Sequence, residues 1–238
     1  MPLVGKKIDI TNDQFGSMVR QNCLLVDKSL MIQAFLGEQK VSLITRPRRF
    51  GKTLNMSMLH HFFSATVDGQ STAGLFDAFA IAEVDGGNFL KAHQGQYPVI
   101  FITFKDVKNP SFEGVIRKIR LLIKTLYRQH DDLLISDKLN KEDKREYRLY
   151  RNGILDNESL EESLRFLSEC LYKVYKKNVI LLIDEYDTPL TSAYEHGYLE
   201  PLSELMRNLF SSALKGNPYL EKGLMTGILR VSQSSLLS

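Results

Sequence analysis

Residues 41–54 read VSLITRPRRFGKTL, and this stretch decides the fold. A short apolar run (Val41, Leu43, Ile44) ends in Thr45-Arg46-Pro47. The loop Arg48-Arg49-Phe50 follows, then Gly51-Lys52-Thr53-Leu54 opens a segment with helical apolar spacing. The pattern is strand, tight loop, helix, with Gly-Lys-Thr at the helix mouth. The first turn of a helix has unpaired N–H groups and a partial positive charge, so it suits an anion. Gly51 lets backbone approach an oxygen closely. Arg49 through Leu54 are the candidate phosphate-binding residues. Lys52 is expected to reach the β- and γ-phosphates of a nucleotide, and the Thr53 hydroxyl to hold Mg²⁺. Arg46 stands where the usual pattern has its first glycine, so on this stretch alone a basic turn capping a core helix is the competing reading.

A second stretch answers the first. Residues 179–185, VILLIDE, hold five apolar residues followed by two carboxylates. A continuous apolar run fits a strand buried on both faces of a parallel sheet, and ligands bind at the carboxyl ends of such strands. Burying a carboxylate costs several kcal/mol unless a partner compensates it. Mg²⁺ beside Thr53 would do so, with Asp184 holding the metal and Glu185 placed to polarise an attacking water. The rival is a strand followed by a plain acidic turn, and the pairing with Gly51-Lys52-Thr53 argues against it. Residues 99–104, VIFITF, read as another buried strand, and residues 223–229, GLMTGIL, as a fourth. Thr226 is the one hydroxyl of that last strand and could bond the γ-phosphate or the lytic water. Arg230 could neutralise charge on the phosphates as an internal arginine finger, or pair with a surface carboxylate.

The remaining chain is helical in pattern. Residues 13–23 and 29–36 form an N-terminal lead-in, with Asp27 as an N-cap and Gly37 as a stop. Residues 112–130 are strongly amphipathic, with a basic outer face that reads as solvated. Residues 136–152 are the most charged part of the chain and mixed in sign, which predicts an exposed helix or a mobile insert. Helices are also expected over 156–175 and 201–214. His60 and His61 lie within the helix after the loop, with no carboxylate or cysteine at ligand spacing, and read as packing or surface histidines.

Across 238 residues the formal net charge is +3, too small to argue for nucleic acid, which stays an unsupported partner. The two cysteines, Cys23 and Cys170, have no metal spacing and read as reduced core thiols of a cytoplasmic protein. No signal peptide and no apolar run of membrane length is present, so no membrane association is expected.

Residues 45–53 (TRPRRFGKT), 182–187 (LIDEYD) and 225–230 (MTGILR) together resemble three motifs of the AAA-ATPase-like family of bacterial proteins. Residues 26–29 (VDKS) and 97–100 (YPVI) match family segments too. In that family arginine usually replaces the first glycine of the loop. The resemblance implies the ASCE division of P-loop NTPases: an α/β fold with three layers, a mainly parallel sheet and helices on both faces. It assigns Gly51, Lys52 and Thr53 to phosphate and Mg²⁺, Asp184 and Glu185 to metal and water, and Thr226 to the sensor position. Relatives usually carry a C-terminal PD-(D/E)XK nuclease-like domain, which has no counterpart here, so the expectation is one P-loop domain over 1–238, truncated or shortened. Its parts are a lead-in over 1–40 and a core over 41–238, with the charged insert at 136–152. The ASCE strand order 5-1-4-3-2, with strand 5 missing, would leave residues 41–45 at an exposed edge covered by the N-terminal segment or a neighbouring chain.

The expected activity is Mg²⁺-dependent ATP hydrolysis driving a conformational switch. The alternative is a nucleotide-gated interaction module with little turnover, coupled to the nuclease-like domain or to a second copy in a homo-oligomer. A small-molecule kinase is a third reading, disfavoured by the adjacent Asp184-Glu185 pair.

Overall fold

The computed structural model describes residues 7–9, 11–47 and 49–228. In chain order the elements are α1 (Phe15–Arg20), α2 (Leu30–Gly37), β1 (Val41–Thr45), α3 (Lys52–Phe63) and a small hairpin of β2 (Thr66–Val67) and β3 (Gln70–Ser71). A 3₁₀ stretch (Ala80–Gly87), α4 (Asn88–His93), β4 (Val99–Thr103), α5 (Phe112–Arg128), α6 (Asp132–Ile135), α7 (Lys141–Asn152) and α8 (Asn157–Tyr175) follow. The chain then makes β5 (Val179–Asp184), α9 (Thr188–Glu195), α10 (Leu199–Leu214) and β6 (Leu220–Gly227).

The main sheet runs β1-β6-β5-β4, parallel throughout. This is the expected order 1-4-3-2, and no fifth strand occurs among the described residues. Alternation along the strands divides the apolar side chains between two layers. Ile100, Ile102, Leu181, Ile183 and Met225 face α5, α8 and α10; Val99, Ile180, Leu182 and Leu224 face α3 and the N-terminal helices. That is why the β5 sequence is apolar without interruption, and every β5 residue is buried. Among the described residues no helix is long and apolar enough to cross a membrane.

Several elements refine or depart from the sequence reading. The first helix is shorter than 13–23, because the chain leaves helical geometry at Gln21 and Asn22 adopts a positive φ of 55°. Helix α10 begins at Leu199, two residues before the expected Pro201, and residues 188–195 form α9, which the sequence reading did not expect. Strand β6 begins at Leu220 rather than Gly223, carrying Glu221 and Lys222 past a bulge opposite Val179. The charged stretch 136–152 is not a mobile insert. It becomes α7, started by a reciprocal Asn140–Asp143 capping box and fastened by buried aromatics. The Tyr147 hydroxyl donates to the carbonyls of Tyr127 (2.7 Å) and His130 (2.9 Å), and the Tyr150 ring stacks on Tyr127 with centroids 4.8 Å apart. Lys173 adds an ion pair to Asp143 at 2.9 Å.

Among the described residues strand β1 is bonded on one side only, to β6, and all five of its residues are half-buried. Its outer edge borders a groove with α2, lined by Met31, Phe35 and Gln39 among others. The N-terminal segment contributes α2 to this face but, among the described residues, no strand pairs with that edge; Lys7 instead bridges to Cys23. Both cysteines are free and buried.

His61 is buried in the α1–α3 contact, its Nδ1 2.7 Å from the Ser57 carbonyl oxygen, while His60 packs its ring against Phe101. Burial pushes His60 down to about 3, with the like charges of His61 and His130 adding to it; His61 and His130 are lowered as well, chiefly by burial. Below an unfolded value near 6.5 the unfolded chain therefore binds protons that the folded chain refuses. This contribution to stability is full above about pH 6.5 and falls as pH drops towards 3. Thermal melts at pH 7.5 and pH 5 should show a larger drop for wild type than for His60→Gln. A second expectation concerns Gly223, where an added Cβ would lie 2.6 Å from Leu214 Cδ2. Gly223→Ala should cost about 1–3 kcal/mol of stability through overpacking, read as a lowered denaturant midpoint with unchanged slope.

Candidate functional site

Parallel register sets the strand ends level. Thr45 pairs with Gly227, Ile44 with Thr226, Ile183 with Met225, and Thr103 with Asp184. The residues picked from three distant stretches of sequence thus meet at the carboxyl end of the sheet.

The loop after β1 turns into α3 through two left-handed residues. Arg49 has φ 67°, an uncommon state for a residue with a Cβ. Gly51, the N-cap of α3, has φ 71° and ψ 22°, a conformation in which glycine is unstrained. Lys52 bends back over the loop and its Nζ donates to the carbonyls of Arg46 (2.8 Å) and Pro47 (2.9 Å). Its ammonium is thereby held against the inner curve of the loop. Arg46, Arg49 and Phe50 are exposed beside it, and Leu54 turns inward to pack against the α3 core.

Asp184 is the hub. It is fully buried at the tip of β5, and each carboxylate oxygen accepts from a different element. Thr53 Oγ1 on α3 donates to Oδ2 at 2.9 Å, and Thr226 Oγ1 on β6 donates to Oδ1. Two neutral hydroxyls share the negative charge without cancelling it. A buried carboxylate flanked by a threonine hydroxyl is a set of hard oxygen donors, which suits Mg²⁺ rather than a softer metal. The site residues therefore fit the cation that the sequence implied.

Glu185 leaves the strand with φ 51°, left-handed in a residue that is not glycine. Strain of this kind persists only where the surroundings enforce it. The bonds that enforce it come from the two residues after it. Tyr186 N donates to the Thr226 carbonyl (3.1 Å), and its buried ring meets Phe210 edge-on. Asp187 Oδ2 accepts from Ile228 N at 2.8 Å. Glu185 is half-buried, and its Oε2 accepts from Thr188 Oγ1 at 3.1 Å, which fixes the carboxylate over the turn.

Sequence reasoning passed over Tyr186 and Asp187, although the quartet Asp184-Glu185-Tyr186-Asp187 was in view. Their work is to tie the acidic turn to the end of β6. Gly227 belongs to the same fastening: a Cβ there would lie 2.7 Å from Tyr186 Cε1 and 2.8 Å from Asp187 Oδ1. Arg230 and Arg48 lie outside the described residues.

The fold agrees with one of the comparisons with known proteins. No curated protein and no solved structure matches the chain. A family model does: the AAA-ATPase-like family, described as "Predicted AAA-ATPase", matches residues 9–237. That match spans nearly the whole sequence, its description points to nucleotide binding, and the chain belongs to the AAA-ATPase-like family.

Proposed function

We propose that this chain binds ATP and hydrolyses it with Mg²⁺. The single observation that carries the reading is Asp184, buried and bonded at once to the helix-mouth threonine and to the hydroxyl of β6.

The residues divide the work. The N–H groups at the start of α3, with Gly51 in the left-handed conformation, cradle the β-phosphate. Lys52 exchanges the Arg46 and Pro47 carbonyls for phosphate oxygens, a trade of neutral acceptors for charged ones that favours the nucleotide. Thr53 and Asp184 would hold Mg²⁺, which supplies charge neutralisation across the β- and γ-phosphate oxygens when bound. Glu185 orients a water and accepts its proton as the water oxygen bonds to the γ-phosphorus. The bond from that phosphorus to the β–γ bridging oxygen breaks, and ADP and inorganic phosphate leave. Thr226 sits one hydrogen bond from Asp184, where it registers whether the γ-phosphate is present. Arg230 would add positive charge to the phosphates. Hydrolysis then acts as a switch, because loss of the γ-phosphate changes the partners of Lys52 and Thr226.

Lys52→Ala should weaken ATP binding at least tenfold in a fluorescence titration with labelled ATP, and removal of divalent cation by a chelator should abolish phosphate release. Glu185→Gln should bind ATP as wild type does while releasing phosphate about 100-fold more slowly. Equal ATP binding by wild type and Lys52→Ala would reject the phosphate site. Equal release by Glu185→Gln would remove Glu185 from the mechanism and leave a nucleotide-gated interaction module as the better description.

A further inference from the structure

The segment Val26-Asp27-Lys28-Ser29 has no part in the site described above, yet the fold invests in its position. Asp27 uses both carboxylate oxygens: Oδ1 accepts from Ser29 N and Oδ2 from Ala80 N, each at 2.8 Å. Those backbone donors hold its carboxyl below the ordinary value, against the opposing effect of burial, which is the larger single influence. Ser29 is fully buried, and its Oγ accepts from Ile81 N at 3.1 Å. Two adjacent side chains thus stitch the start of α2 to the 3₁₀ stretch, on either side of Lys28. The Lys28 carbonyl is occupied too, by Met31 N at 2.9 Å. Lys28 is therefore presented from a backbone fixed at three points.

Its side chain is not used in that stitching. Lys28 is exposed and makes no ion pair among the described residues. Its Nζ lies 4.0 Å from the point a Cβ on Gly51 would occupy. Gly51 is the residue whose backbone a bound phosphate must approach. An ammonium so close to that backbone, with no carboxylate to neutralise it, stands within reach of whatever anion the loop takes up. Asp27, the acid next to it in sequence, is engaged with two backbone N–H groups.

We propose that Lys28 is a second phosphate-binding cation, reaching the phosphate chain from across the loop while Lys52 holds it from the helix side. This rests on the reading of residues 49–54 as a phosphate site. The ligand class is a polyphosphate, and the contribution of Lys28 is independent of the base. An ammonium lent from the N-terminal segment also makes that segment part of the nucleotide site, so nucleotide binding ties the α2 region to the loop.

The test is a titration of the wild-type 238-residue chain, Lys28→Gln, Lys28→Arg and Lys52→Ala with labelled ATP at two salt concentrations, with inorganic tripolyphosphate as competitor. Lys28→Gln should bind both ATP and tripolyphosphate about tenfold more weakly, with a flatter salt dependence and an unchanged melting temperature. Lys28→Arg should recover most of the affinity. If Lys52→Ala weakens binding and Lys28→Gln leaves ATP and tripolyphosphate affinity as in wild type, the Lys28 assignment falls and the phosphate site stands. If wild type and Lys52→Ala bind ATP equally, both readings fall. A loss in Lys28→Gln with no change in salt dependence and no recovery by arginine would also overturn it, by marking the residue as structural.

Discussion

One buried carboxylate governs the carboxyl end of this sheet. Asp184 has no exposure to solvent, and its two oxygens are bonded to hydroxyls that come from α3 and β6. Removing a carboxylate from water is costly, and two neutral donors repay only part of that cost. The arrangement holds because three elements converge on it at once. Strand β5 brings the acid, α3 brings Thr53, and β6 brings Thr226. Moving any one element breaks a bond to a buried charge, so the relative position of the two strand ends and the start of α3 is strongly specified.

Around this hub the backbone is bent in ways most residues resist. Arg49 and Glu185 both occupy the left-handed region despite their side chains. Gly227 is required by crowding rather than by φ, since Tyr186 and Asp187 fill the space a side chain would need. These features cluster at one end of the sheet. At the opposite end of β6, by contrast, Gly223 answers only to packing against Leu214. Left-handed residues on both sides of a buried charge, Arg49 and Glu185, fit a site built for a ligand better than a capping turn.

Much of this was legible in the sequence because it follows from local pattern. The continuous apolar runs of β4 and β5 report burial on both faces, and a carboxylate directly after such a run lies at the sheet's ligand end. The strand order came from the family resemblance, since periodicity alone fixes no order. Long-range fastening was not legible. Asp187 reaches Ile228 across 41 residues, and no spacing rule singles it out from its acidic neighbours. The composition of α7 left an exposed helix and a mobile insert both open. Its charges dominate the average, while Tyr147 and Tyr150, three positions apart on one face, supply the burial. The early start of β6 was masked by Glu221 and Lys222, whose polarity reads as loop although Lys222 reaches the carbonyl of Glu38 beside β1.

The edge position of β1 gives these contacts a mechanical meaning. Among the described residues, the strand that leads into the loop before α3 is hydrogen-bonded to β6 alone. Strand β6 also presents Thr226 to Asp184 and, just past its end, anchors the acidic turn through Ile228. The loop after β1, Asp184 and the acidic turn are therefore registered through one strand rather than through a rigid central sheet. Each Asp184 oxygen accepts one hydroxyl and keeps a further lone pair, so a cation entering beside it would compete with Thr53 and Thr226 for the same carboxylate. Displacing Thr53 acts on the helix mouth; displacing Thr226 acts on the strand that holds β1. In either case a change at one carboxylate reaches the loop by a path of one or two bonds. An edge strand, free on its outer side, can follow that change at lower cost than a strand paired on both sides.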